Sequence, residues 1–191
     1  QEVAADALAS QREGLLPANY LPYTPSPPEE FQKLPQLRGR AKLEMVLRRA
    51  GKDGEFVLNP GEAEEGKEVQ RAREATFTMV IDGYHAPLTG AQIVRLAQKG
   101  FYDGQSVNKA EELIVQTGEK GSGSEALLPL ELFYKGDSQP TYSYTSDEDN
   151  RATETFVLPF QAFGTIGMAR AGEDADSATS QIFFLKWDQA L

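Results

Sequence analysis

Residues 163–185, FGTIGMARAGEDADSATSQIFFL, restrict the fold more than any other stretch of the chain. Thr165-Ile166-Gly167-Met168-Ala169 alternates, residues 172–179 are rich in Gly, Asp and Ser, and Ser180-Gln181-Ile182-Phe183-Phe184-Leu185 closes on an apolar run. Alternation, turn formers and a second apolar run predict two strands joined by a long loop. Gly164 and Gly167 flank the first strand, which is built of small residues.

The 191 residues, 40% hydrophobic and 25% charged, suffice for one good core and a small appendage. A net charge of −10 argues against a nucleic-acid partner, because phosphates need clustered Lys and Arg. No cysteine is present, which excludes disulfides, thiolate metal sites and a Cys nucleophile. No apolar run approaches the roughly 18 residues of a membrane span. The chain has no initiator Met and no charged-then-apolar leader, so it is expected to begin after processing or inside a longer protein.

Residues 1–16 place Val3, Leu8, Leu15 and Leu16 among helix formers, and a short helix is expected that must lean on another element. Prolines at 17, 22, 25, 27 and 28 then favour an extended arm, either a linker on its own domain or a docking arm. Residues 34–47 alternate around Ala41, Leu43, Met45 and Leu47 and read as a strand; residues 51–74 read as a polar, solvated hairpin tip or loop. A strand follows over 76–82. Thr89-Gly90-Ala91-Gln92 has capping-box spacing for a helix running to about Lys99 and ending at Gly100, with Ile93, Leu96 and Ala97 on its apolar face. An apolar run at 126–134 predicts a strand between surface loops, and residues 156–160 return to the apolar pattern.

His85, the only histidine, reads as a surface-loop residue without a partner. Asp147, Asp149, Asp174 and Asp176 read as solvated acids, since these loops lack the Gly and terminal Glu of a calcium-binding EF-hand. Gly118, Gly121 and Gly123 lack the Lys-Ser/Thr of a phosphate loop, and no Ser/His/Asp triad assembles. No cofactor or metal is called for.

The ordered parts of residues 164–183, Gly-x-Ile-x-Met-Ala-Arg-x-Gly, a polar loop and Ser-Gln-Ile-Phe, resemble the core signature of cyclophilin-type peptidyl-prolyl cis-trans isomerases. A second match, IDGYHAPLTGAQIVRLAQKGFYDG and then LIVQTG, resembles the family's first strand, first helix, Tyr-Asp-Gly turn and catalytic strand; together they cover roughly residues 75 to 191. LPQLRGRAKLE, from Leu34, is similar to the segment preceding the isomerase domain in multidomain cyclophilins of the chloroplast thylakoid lumen. The resemblance implies a mainly β (α+β) fold: a closed antiparallel barrel with flanking helices over 34–191, behind a helical and Pro-rich arm over 1–33. It also implies that the chain stops short of the family's C-terminal part, so the pocket's Trp and His would lie beyond Leu191, and Trp187 follows the strand too closely to be that Trp.

Rotation about an X–Pro bond crosses about 18–20 kcal/mol, and a catalyst need only bind the twisted amide better than either planar form. By resemblance, the donor to the proline nitrogen falls at Lys109, seven residues after Tyr102, where the family has Arg. The other catalytic position is Gln116. Leu113 and Ile114 match the apolar wall, with the register to Lys109 shortened by about one residue; Gln181 and Phe183 match the second Gln and the pocket Phe. Ala169, Arg170 and Ala171 match the edge on which a peptide lies extended. Lys lacks the planar fork of Arg, so the exchange is not conservative. Two functions follow: a lumenal isomerase or foldase of weakened activity acting on proline-containing segments, or an inactive accessory subunit or assembly factor on a photosystem complex.

Overall fold

The computed structural model describes residues 24–49, 54–57, 70–118 and 126–188. The helix expected over 1–16, the first prolines of the arm and most of the acidic loop lie outside them. Two units are present: residues 42–81, and the residues up to 41 together with those from 82 onward.

The 42–81 unit holds most of β1 (Arg40–Arg48) and β4 (Glu74–Asp82), which pair with each other, and the short β2 (Phe56–Val57) and β3 (Arg71–Ala72). Both long strands alternate in exposure residue by residue, as their sequences require. β1 begins at Arg40, later than expected, because Pro35 has no donor and Gly39, at φ +84, turns the chain. Before that turn the Leu37 amide is bonded to the Pro87 carbonyl at 2.9 Å.

The larger unit starts with a 3-10 turn at Glu29–Phe31 and contains α1 (Pro87–Gln98), β5 (Val107–Ala110), β6 (Ile114–Thr117), β7 (Glu131–Leu132), β8 (Thr141–Tyr142), β9 (Ile166–Met168) and β10 (Ile182–Leu185). Four strands make an antiparallel sheet in the order β5-β6-β10-β9; β7 and β8 pair separately. The fold is mainly β with one α-helix among the described residues. Leu88, Leu96 and Ile182, all fully buried, form its core with Tyr134, Leu128 and Ile93; Ala97 is only half-buried.

The described residues do not form the closed barrel expected from the resemblance. Each outer strand, β5 and β9, has one partner. The segments expected to supply further strands contribute only the two-residue β7 and isolated bridges at Leu128↔Ala178 and Tyr134↔Phe156. Pro129, Pro140 and Pro159 remove ladder donors there, and Ser143 and Asn150 turn the backbone to φ +66 and +56.

The helix ends as expected, with Gly100 at φ +69. Its beginning differs. Pro87 takes the first position, where a missing amide costs nothing, and no local side chain caps it. The Leu88 and Thr89 amides donate instead to the carboxylate of Glu131, at 3.2 and 2.9 Å, across 43 and 42 residues of sequence. Burial pushes the Glu131 carboxyl above its usual range, more than those two amides lower it. Gln92, freed from capping, donates to the Thr179 carbonyl at 2.8 Å and accepts from Arg95.

His85 has partners. Its Nδ1 lies 3.1 Å from Asp82 Oδ2, and its ring meets Phe133 edge-on with centroids 5.3 Å apart. Asp82 also receives the Tyr84 amide at 2.9 Å and Arg40 at 3.1 Å. Asp176 is likewise engaged, accepting the Leu130 amide at 3.2 Å.

Burial alone would raise the Asp82 carboxyl; the His85 hydrogen bond and charge, Arg40 and the Tyr84 amide outweigh it and hold the group below its ordinary value. A depressed carboxylate adds stability above the unfolded value, about pH 4, that is lost as pH falls through the folded one. Arg40 is exposed enough that its share is small. Asp82→Asn is therefore expected to cost about 1–3 kcal/mol near neutrality, and urea midpoints of the two proteins should converge as pH falls below the unfolded value, about pH 4, toward the lower folded one. At the helix, Glu131→Ala leaves two amides without an acceptor and is expected to cost about 1–3 kcal/mol by urea denaturation. Glu131→Gln keeps one acceptor and removes the buried charge, so its loss should be smaller.

Candidate active site

β10 is the inner strand on which the site is built. In register, Phe183 lies opposite Gln116 of β6 and Gly167 of β9. On the far side of β6, Gln116 lies opposite Lys109 of β5. Lys109, Gln116, Phe183 and Gly167 thus form one row across four strands. Strands lie about 4.8 Å apart, so Lys109 and Phe183 stand roughly 10 Å from each other on one face.

A bulge makes that row. Val107 pairs with Thr117, yet Lys109 pairs with Gln116, so Asn108 is the extra residue. With regular pairing Lys109 would oppose Val115 and share its face, away from Gln116. The one-residue shortening visible in the sequence is compensated by the bulge, which returns the cation to the side of the expected glutamine. Lys109 remains exposed, with its Nζ 3.1 Å from Glu111 Oε1.

The expected apolar wall is divided. Ile114 opens β6 on the Gln116 face, while Leu113 sits in the two-residue hairpin turn closed by the Glu111 amide on the Ile114 carbonyl. Leu113 is 53% exposed, and its carbonyl accepts the Lys186 amide at 2.8 Å.

The entry to β10 is held at three successive carbonyls. Thr179 accepts from Gln92, Ser180 from the Tyr102 hydroxyl at 3.0 Å, and Gln181 from the Ala169 amide at 2.8 Å. Gly118, at φ +82, lets this packing close: a Cβ there would stand 2.6 Å from the Ser180 carbonyl oxygen and 3.0 Å from the Tyr102 ring. Gln181 consequently shares a face with Phe183, two residues on.

Of the expected peptide edge, Ala169 gives its amide to the sheet, and Ala171 gives its amide to Ser177 Oγ at 2.7 Å. Among the described residues, the Arg170 amide alone of the three carries no such bond. Its guanidinium folds back toward the Ala171 and Gly172 carbonyls at 3.4 and 3.2 Å.

One side chain of this face was missed in the sequence. Phe160 packs its ring on Phe183, with centroids 5.4 Å apart and planes tilted by 41°. The pattern at 156–160 flagged it only as apolar. The contact joins residues 23 apart, and no local periodicity reports that.

Residues 68–190 match the family described as "Cyclophilin type peptidyl-prolyl cis-trans isomerase/CLD". The chain is 32% identical over 174 residues to the chloroplastic peptidyl-prolyl cis-trans isomerase CYP38 of Arabidopsis thaliana, covering 86% of this chain and 36% of that protein. It is 31% identical over 175 residues to a Synechocystis protein named as a thylakoid lumen peptidyl-prolyl cis-trans isomerase, covering 86% and 40%. It is 30% identical over 164 residues to the chloroplastic CYP37 of Arabidopsis thaliana, covering 85% and 33%. The chain thus spans between a third and two fifths of the length of these relatives. The Synechocystis name gives the thylakoid lumen and the two Arabidopsis names the chloroplast, the location expected from residues 34–44, and the chain is accordingly placed in the thylakoid lumen. No helix among the described residues is long and apolar enough to cross a membrane. The match to that family over residues 68–190, most of the sequence, makes the chain a member of the cyclophilin-type peptidyl-prolyl cis-trans isomerase family.

Proposed function

We propose that this chain catalyses, slowly, the cis-trans isomerisation of X–Pro bonds in segments of thylakoid-lumen proteins. The observation that carries the reading is the row Lys109–Gln116–Phe183, with Ile114 and Gln181 on the same face. The division into an arm over 1–33 and an isomerase domain over 34–191 is part of the proposal, supported by a family match that falls wholly within the second part.

Phe183 receives the proline ring, with Ile114 as the apolar wall. Gln116 and Gln181 bond the flanking amides, and an extended substrate meets the Arg170 amide at the edge of β9. The Lys109 ammonium, reaching the amide nitrogen as the bond twists, weakens its conjugation with the carbonyl and so favours the twisted state over either planar form. Two effects oppose it. The pair with Glu111 is exposed and worth less than about 1 kcal/mol, so a substrate can displace it. Loss of the planar fork is the larger: a point charge holds the nitrogen less well through the twist.

The alternative is an inactive accessory subunit or assembly factor bound to a photosystem complex. The exposed, Glu111-paired Lys109 favours it, because binding needs the apolar face but not the cation.

A protease-coupled isomerisation assay on a short prolyl peptide tests both. The wild type is expected to accelerate the slow phase, and Lys109→Arg to raise kcat/KM by about ten- to a hundredfold, the range that 1–3 kcal/mol of transition-state binding spans approximately. If neither protein accelerates it, the isomerase reading falls and the accessory reading stands.

A further inference from the structure

Gly167 occupies the end of the site row, opposite Phe183, and its backbone is in the ordinary extended region, so conformational freedom does not explain a glycine there. Space does. A Cβ would lie 2.6 Å from Cζ of Phe183 and 2.8 Å from Cε1 of Phe160. Both distances are below 3.0 Å, so a side chain at 167 would push the two rings from their places. The missing side chain lets both rings lie over β9 together.

Phe160 does more in this position than brace its neighbour. It is 48% exposed, so part of its ring stays open to a chain lying on the face. The two centroids are 5.4 Å apart, and consecutive Cα atoms of a bound chain are 3.8 Å apart by covalent geometry. A proline ring seated on Phe183 therefore brings an adjacent side chain within reach of Phe160.

We infer that Phe160 is a specificity-determining residue: with Phe183, over the gap left by Gly167, it forms a two-ring pocket that selects prolines flanked by bulky apolar residues. This rests on the peptide-binding reading of the face. An apolar neighbour gains contact with the exposed part of Phe160, and an alanine neighbour does not fill it.

The test compares two short peptides, each with one proline, flanked on both sides by Ala in one and by Phe in the other, titrated into the full chain by NMR. The wild type is expected to bind the Phe-flanked peptide roughly three- to tenfold more tightly, the scale of an aromatic contact. In Phe160→Ala the ratio should approach one. Phe160→Leu, which keeps apolar bulk, should give an intermediate ratio, and Phe163→Ala, outside the ring pair, should keep the wild-type ratio. A wild type without preference, or a Phe160→Ala protein that retains it, overturns the inference and leaves the isomerase reading in place. If the wild type binds neither peptide, the peptide-binding reading falls and the inference with it.

Discussion

The larger unit depends on how the start of β10 is held. Three consecutive carbonyls, of Thr179, Ser180 and Gln181, are taken by Gln92 of the helix, Tyr102 of the turn after it and Ala169 at the end of β9. A carbonyl left unpaired at such depth would cost about 1–3 kcal/mol. Satisfying all three at once fixes the height of the strand relative to helix, turn and neighbouring strand. Ile182, the next residue, is then fully buried, and alternation sends Gln181 and Phe183 to the opposite face. Core and site are therefore two sides of one register. A slip of one residue would bury Phe183 and turn Ile182 outward.

That dependence separates what could be read in the sequence from what could not. β10, β9 and the helix end at Gly100 follow from local pattern and motif order, because each lies within a few residues of its signal. Long-range partners leave no such trace. The helix start misled because Thr89 and Gln92 have capping-box spacing, while the acceptor came from Glu131, more than forty residues away. His85 read as a free loop residue although one partner, Asp82, stands three residues before it; its other, Phe133, leaves no local trace. Phe160 was legible as apolar, and its place on Phe183 was not.

The barrel expectation exceeded the residues for a different reason. Closure requires every outer strand to find another partner, and a motif for four strands says nothing about the remaining edges. The chain between β7 and β9 carries prolines and left-handed turns in place of ladder donors. The sheet that holds the candidate site forms without that closure, since all of its rows are made by β5, β6, β10 and β9 alone.

The two halves of the site are not tied to the fold equally. Phe183 and Gln181 lie on or beside a strand bonded on both sides, opposite a fully buried residue, so changing them disturbs packing that the unit needs. Lys109 lies on an outer strand whose four residues are all exposed, next to a bulge, paired on one side only. Such a residue can change at little cost to stability, because it contributes almost no buried surface. The apolar face around Phe183 is thus built into the fold, whereas the cation of Lys109 is an addition at its edge. The proposed isomerase and accessory readings share that face and differ by what a single exposed side chain adds to it.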